Sequence, residues 1–212
     1  EIDESDKVLS HELFQGGDKE VYNMSTDIFV VDTPFLIAKL EEEAAKEEPR
    51  KLRYVLRDLA VAENAFAYEY TGYLSNIHSV KAYFDANLDM LESQKFYSLF
   101  APNQKVYTKV KNEEPTYYSD SSEVKLSQFA SGSIVRGKVE NSVISRNVDL
   151  SEGSSVSHSI LFPRVKVAKG ATVEYAIVDK GVEIAEGVTI RGTENNPVVI
   201  KKGSVVTEDI VR

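Results

Sequence analysis

The sequence predicts an α/β segment followed by a parallel β-helix, joined by an irregular connector. Three observations carry this expectation. Apolar residues recur at helical spacing between about Asp27 and Glu92. From about Glu123 that spacing gives way to a chain rich in Val, Ile, Gly and Ser. In this second stretch, five columns of residues repeat in one register. The expected divisions are 1–92 for the α/β part, 93–120 for the connector and 121–212 for the β-helix.

Taken in order, Glu1-Ile2-Asp3-Glu4-Ser5-Asp6-Lys7-Val8-Leu9 reads as a strand and turn. It opens without an initiator Met, which leads to the expectation of an excised piece of a longer chain. Gly16-Gly17 is a turn signal rather than a phosphate loop, because no Gly-x-Gly-x-x-Gly pattern opens a helix after it. Asp27-Ile28-Phe29-Val30-Val31 is β-branched and aromatic, and predicts a buried strand. A helix follows from Thr33, with Thr33 as cap, Pro34 at the first helical position and Phe35, Leu36, Ala38 and Leu40 as its apolar residues. The run Glu41-Glu42-Glu43 predicts a solvated helix face. A second helix fits Ser79 to Glu92, where Val80, Tyr83, Phe84, Asn87, Leu88 and Leu91 share helical spacing. Ser93 to Ser122, with Pro102, Pro115 and Tyr117-Tyr118, reads as irregular.

The repeat aligns Ser142-Val143-Ile144 with Ser159-Ile160-Leu161 and Ala176-Ile177-Val178. It also aligns Val148, Val165 and Val182; Leu150, Val167 and Ile184; and Gly153, Gly170 and Gly187. The last column is Val139, Val156, Val173 and Ile190, spaced evenly (156 − 139 = 173 − 156 = 190 − 173 = 17). Val198-Val199-Ile200 and Gly203 to Val206 continue the pattern after an insertion. A period this short cannot hold a helical hairpin, but it suits one coil of three strands of roughly six residues each. Aliphatic residues then return to the same inward positions while Gly and small polar residues take the corners. Leucine-rich repeats need a Leu and Asn ladder, which is absent. The left-handed β-helix of hexapeptide repeats fits best.

Composition excludes several classes of function. Net charge is −9, against the concentrated basic face that nucleic-acid binding requires. The longest apolar runs fall far short of a membrane span, and no secretory leader is visible. With 0 cysteines there are no disulfides or thiolate metal sites. Cytoplasmic residence is the default expectation.

Four segments then carry a resemblance. Tyr83-Phe84-Asp85-Ala86-Asn87-Leu88-Asp89-Met90 resembles "YW-x-ANLDL", Tyr73-Leu74-Ser75-Asn76-Ile77-His78-Ser79 resembles "YWRDVGT", and Met24-Ser25-Thr26-Asp27-Ile28-Phe29-Val30-Val31 resembles "ASMGIYVF". Ser159-Ile160-Leu161-Phe162-Pro163-Arg164-Val165 resembles "SVLFSRV". These are motifs of the ADP-glucose pyrophosphorylase family, and the similarity covers nearly the whole chain in order. It implies the end of a nucleotidyltransferase domain followed by a left-handed β-helix.

The departures from the family pattern matter as much. In catalytic members the Asp of "YWRDVGT" helps hold Mg²⁺, which offsets charge in nucleotidyl transfer; the matching position here is Asn76. The Glu and Lys of an "EKP" motif contact glucose 1-phosphate in the family, and Leu13-Phe14 aligns there. The Gly of "SMG" becomes Asp27, while Ser25 keeps the family's glucose 1-phosphate-contacting Ser. The chain also lacks the family's Gly-rich nucleotide loop. The resemblance is therefore to a noncatalytic, regulatory-type subunit that some Gram-positive bacteria pair with a catalytic one in a hetero-oligomer, a tetramer in the family. It implies no catalytic residues and no cofactor in this chain. The alternatives are a subunit that makes ADP-glucose from ATP and glucose 1-phosphate when complete, and a hexapeptide acyltransferase.

An acyltransferase would use His158, whose setting between Ser157 and Ser159 instead predicts a polar residue at a coil corner. His78 reads as a capping or packing residue before a helix and His11 as an exposed strand residue. Arg136, Lys138, Arg146, Arg164 and Lys166 read as solubilising charges on outward positions rather than an anion site, although the family binds phosphorylated effectors near its domain junction.

Overall fold

The computed structural model describes residues 1–12, 23–101, 103 and 105–212. Leu13, Phe14 and the Gly16-Gly17 turn lie outside the described residues. The chain divides into two compact units, Glu1–Thr71 and Gly72–Arg212.

The first unit opens with the expected turn. Asp3 Oδ1 accepts hydrogen bonds from Ser5 N at 2.8 Å, Ser5 Oγ at 2.7 Å and Lys7 N at 3.0 Å, and Ile2 bridges Val8 antiparallel. Lys7 bridges Phe66 on the other side. Helix α1, Thr33–Ala44, has Asp32 as its cap: Asp32 Oδ1 accepts from Phe35 N at 3.0 Å, so Thr33 is already helical and Pro34 sits within the first turn. Helix α2, Leu52–Ala62, is amphipathic and buries Val55. The run Asp27–Val31 forms no strand; Ile28 is 80% and Val30 101% exposed. Among the described residues no neighbouring strand pairs with it, and β propensity without a ladder partner does not make a strand.

The acidic run divides. Glu41 and Glu42 face solvent, whereas Glu43 is 5% exposed. Glu43 Oε1 accepts from Arg50 N at 3.0 Å and Arg50 Nε at 2.9 Å, and Lys46 Nζ donates to Oε2. A charge run is a solvated face only where the chain does not return over it. Here the turn into α2 brings Arg50 back across Glu43.

The second unit begins with helix α3, Val80–Leu88, capped by Ser79 Oγ, which accepts from Ala82 N at 3.1 Å. A 3-10 turn, Asp89–Leu91, leads into helix α4, Ser93–Leu99, within the stretch expected to be irregular. The coils then start at Tyr117. Their first strands, β1 (Tyr117–Tyr118), β4 (Ile134–Val135), β7 (Asp149–Leu150), β10 (Lys166–Val167), β13 (Glu183–Ile184) and β16 (Val205–Val206), stack as one parallel sheet. The second strands, β2 (Glu123–Lys125), β5 (Lys138–Glu140), β8 (Ser155–Ser157), β11 (Thr172–Glu174), β14 (Thr189–Arg191) and β17 (Ile210–Val211), form another. The third sheet holds β3 (Gln128–Phe129), β6 (Val143–Ile144), β9 (Ile160–Leu161), β12 (Ala176–Val178) and β15 (Val198–Ile200). This is a parallel β-helix of about six turns.

Each repeat column is a ladder rung. Val139 pairs with Val156, which pairs with Val173, which pairs with Ile190. The period is broken near both ends of the stack: Val124 pairs with Val139 (139 − 124 = 15), Ile184 with Val206 (206 − 184 = 22) and Ile190 with Ile210 (210 − 190 = 20). The longer coil holds the inserted corner 192–197. Inward residues such as Leu150, Leu161, Val167, Val173 and Val178 are fully buried, each contributing about 1.5–3 kcal/mol relative to exposure. Gly153, Gly170 and Gly187 turn one corner at φ 71°, 68° and 72°. Nothing lies within 4 Å of a Cβ added at Gly170 or Gly187, so conformation rather than space requires glycine there.

A serine ladder closes another corner. The hydroxyls of Ser127, Ser142 and Ser159 each accept from the backbone N–H one coil on (Ser142, Ser159 and Ala176), all at 3.1 Å. Each also donates to a carbonyl two residues back in its own coil. Where Ala176 replaces serine, Val198 N turns to Tyr175 O at 3.0 Å. The buried corner donors stay paired by one route or the other.

Candidate functional site

Ser25 and Asp27 form one small constellation in the first unit. Ser25 Oγ accepts from Asp27 N at 3.3 Å, and Asp27 has φ 56°. This is the left-handed region that glycine enters freely and Asp tolerates. The backbone therefore keeps a glycine-type shape at the position where the resemblance expects Gly, with a carboxylate added. Both residues are exposed. Nearby, Arg53 Nη2 donates to Tyr54 Oη at 2.7 Å, holding the phenol below its usual range.

Asn76 lies in the second unit, just ahead of α3. Its carbonyl accepts from His78 N at 3.0 Å and lies 3.0 Å from His78 Nδ1, in a tight turn that leaves the Asn76 side chain exposed. The cap of α3 is Ser79; exposed His78 supports the turn before it. The upstream residue Tyr73 anchors the segment: its hydroxyl donates to Asp89 Oδ2 at 3.0 Å, and burial followed by the Asp89 carboxylate pushes the phenol up. Lys95 Nζ contacts Asp89 Oδ1 at 2.7 Å and Glu92 Oε1 at 2.9 Å, which raises the ammonium above its usual range. Asp89 and Glu92 are thus both committed to a lysine.

These residues do not fit a Mg²⁺ site. Asn76 offers a neutral amide oxygen, and a hard cation prefers several anionic oxygens. Among the described residues, no group of three or more His, Asp or Glu is placed to hold a metal ion. The arrangement brings Ser25 and Asp27 together within one unit and Asn76 into the other, while Leu13 and Phe14 lie outside the described residues.

The better-built feature is the docking of α3 on the third sheet. Phe84, Ile160 and Ile177 form a buried cluster, with Tyr83, Leu88, Phe162 and Tyr175 packed around it. Ile160 and Ile177 point away from the coil interior, and such outward isoleucines need a cover that α3 supplies. Beside the helix, a shallow groove is lined by Ile77, Val80, Tyr83, Ile177 and Val199. It was not legible beforehand, since its residues come from segments at least 94 positions apart (177 − 83 = 94). The outward apolar column Val143, Ile160, Ile177 was its one signal.

The histidines take structural roles. His158 sits at a corner with φ 44°; its ring stacks on Tyr175 at 4.8 Å and its Nε2 lies 3.2 Å from Asn141 Nδ2. Its Nδ1 is buried without a partner, so neither nitrogen faces a cleft as a general base would. His11 is half-buried and outside any strand, contrary to the exposed strand residue expected. Four of the five basic residues singled out on the coils are ion-paired: Arg136 with Asp149, Lys138 with Glu123, Arg146 with Glu113 and Lys166 with Glu183. That pairing agrees with solubilising charges more than with an anion site.

The comparisons bear on the chain as a whole. The GlmU-like, C-terminal hexapeptide family matches residues 111–211. The chain is 34% identical over 198 residues to "Glycogen biosynthesis protein GlgD" of Bacillus subtilis (strain 168), covering 93% of this chain and 55% of that protein. It is 53% identical over 127 residues to the protein of the same name from Geobacillus stearothermophilus, covering 60% of this chain and 37% of that one. It is 27% identical over 134 residues to "Glucose-1-phosphate adenylyltransferase" of Thermosipho africanus (strain TCF52B), covering 62% and 32%. The chain spans about half the length, or less, of the curated relatives it matches.

Proposed function

Because the chain belongs to the family of GlgD glycogen biosynthesis proteins and glucose-1-phosphate adenylyltransferases, we propose that it serves glycogen synthesis in the cytoplasm as a noncatalytic partner of an active adenylyltransferase. The observation that carries this reading is Asn76, an exposed neutral amide where the resemblance expects a metal-holding carboxylate. It stands directly ahead of α3, which packs Phe84 against Ile160 and Ile177 of the coils. A scaffold maintained beside a site without its anionic ligand is suited to assembly rather than chemistry. Asp27 and the Leu13-Phe14 pair support the same reading, because negative charge and apolar side chains both disfavour a sugar phosphate.

The role would be hetero-oligomeric association that shifts the partner between less and more active states. The test is ADP-glucose formation from ATP, Mg²⁺ and glucose 1-phosphate, using the complete protein alone, the active subunit alone, and the two co-purified. The expected result is no turnover by the complete protein alone, a stable complex, and altered kcat or KM of the partner within it. Robust turnover by the complete protein alone would overturn the proposal.

A further inference from the structure

The connector between α4 and β1 is free along most of its length and fastened only where it meets the coils. Among the described residues, none from Lys105 to Asn112 makes a hydrogen bond or an ion pair, and Tyr107 and Val110 are 91% and 82% exposed. At Glu113 this changes. Its Oε1 accepts from Arg146 Nη1 at 2.8 Å and Asn147 Nδ2 at 3.4 Å, and its Oε2 accepts from Ser131 Oγ at 3.2 Å. Three donors from two successive coils therefore converge on one carboxylate. The pair is partly sheltered, with side-chain exposures of 33% for Arg146 and 21% for Glu113, so it is worth more than an open surface pair.

We propose that Glu113 is a latch: its bond to Arg146 straps the connector to the coil corner, and breaking it lets the connector lift away while the coils stay folded. The coils do not depend on the latch. Beyond it, Gly132 N donates to Glu114 O at 2.6 Å, Thr116 Oγ1 to Ala130 O at 2.9 Å and Tyr117 N to Ser133 O at 2.9 Å, so the chain stays anchored from Glu114 on, and the buried core lies further along. The latched state confines the last residues before the coils and neutralises Arg146. The released state lengthens the free connector and uncovers that guanidinium. Two such states, separated by the Glu113 side-chain bonds with the Arg146 ion pair at their centre, form a conformational switch within the second unit.

Limited trypsin digestion reads the latch, with an internal control. Cleavage after Lys111 requires Asn112 and Glu113 to extend into the protease, which the latched state prevents. Lys105 lies further from the latch and reports general accessibility. Glu113→Gln and Arg146→Met should each raise cleavage after Lys111, relative to cleavage after Lys105, about tenfold, the factor that accompanies loss of one charge-assisted bond. The thermal midpoint of the coils should stay unchanged. Arg146→Met leaves the cleaved sequence intact, so a rise in Glu113→Gln alone would reflect trypsin's own preference and overturn the latch. An unchanged ratio in both variants, or a ratio that rises only as the coil midpoint falls, would overturn it as well.

Discussion

Glu43 is a carboxylate whose surroundings set its charge. The Arg50 guanidinium, then the Lys46 ammonium, hold its pKa down to about 2 from an ordinary 4.5. A depressed folded value means that the ionised form stabilises the fold above the unfolded pKa, and that this contribution is lost as pH falls from about 4.5 towards 2. Glu43→Gln should therefore lower the urea midpoint of α1 and α2 at neutral pH, followed by helical circular dichroism, and remove most of its acid dependence; a midpoint that falls as steeply in the variant would contradict this. Ser159 makes a separate test. Ser159→Ala leaves Ala176 N without its acceptor and should cost about 1–3 kcal/mol in coil stability by thermal unfolding. The natural Ala176 marks the limit, since a carbonyl one residue back can capture the next N–H, and a loss below a few tenths would show that the Ser159 corner relaxes the same way.

At the scale of elements, α3 carries most of the tertiary information. Its apolar stripe was readable from spacing, whereas its cap, which is Ser79 rather than His78, and the surface it covers were not. Periodicity reports that one face is apolar but does not name the neighbour, and here the neighbours are Ile160 and Ile177 on coils far along the chain. Phe84 is 1% exposed, so Phe84→Ala should cost about 3–5 kcal/mol and detach the helix. Hydrogen exchange within Val80–Leu88 is the direct check, and unchanged protection there would refute the docking role. Two other elements show the limits of local reading. The strand expected at Asp27–Val31 lacks a ladder partner among the described residues, and α4 appears where Pro102 and Pro115 suggested only a connector. At the candidate site, Ser25 and Asn76 were found by resemblance to motifs; the Tyr73–Asp89–Lys95 network around Asn76 was not, because it depends on side chains meeting across a turn.

For the whole molecule, the coils behave as a one-dimensional stack in which each turn contacts only its neighbours. Amides of the central strands, from Asp149 to Ile184, should exchange slowest, with faster exchange at Tyr117–Lys125 and Val205–Val211, where one ladder partner is missing. Uniform protection from end to end would mean that the stack opens only as a unit. The sequence by itself determined that stack, because a coil's inward aliphatics and left-handed corners recur at a fixed interval and pair only with their own kind one turn away. Only the tertiary structure decided that Glu43 is buried, that α3 roofs the third sheet and that Glu113 reaches Arg146. Each of these depends on where a distant segment returns, and no local pattern of polarity encodes that return.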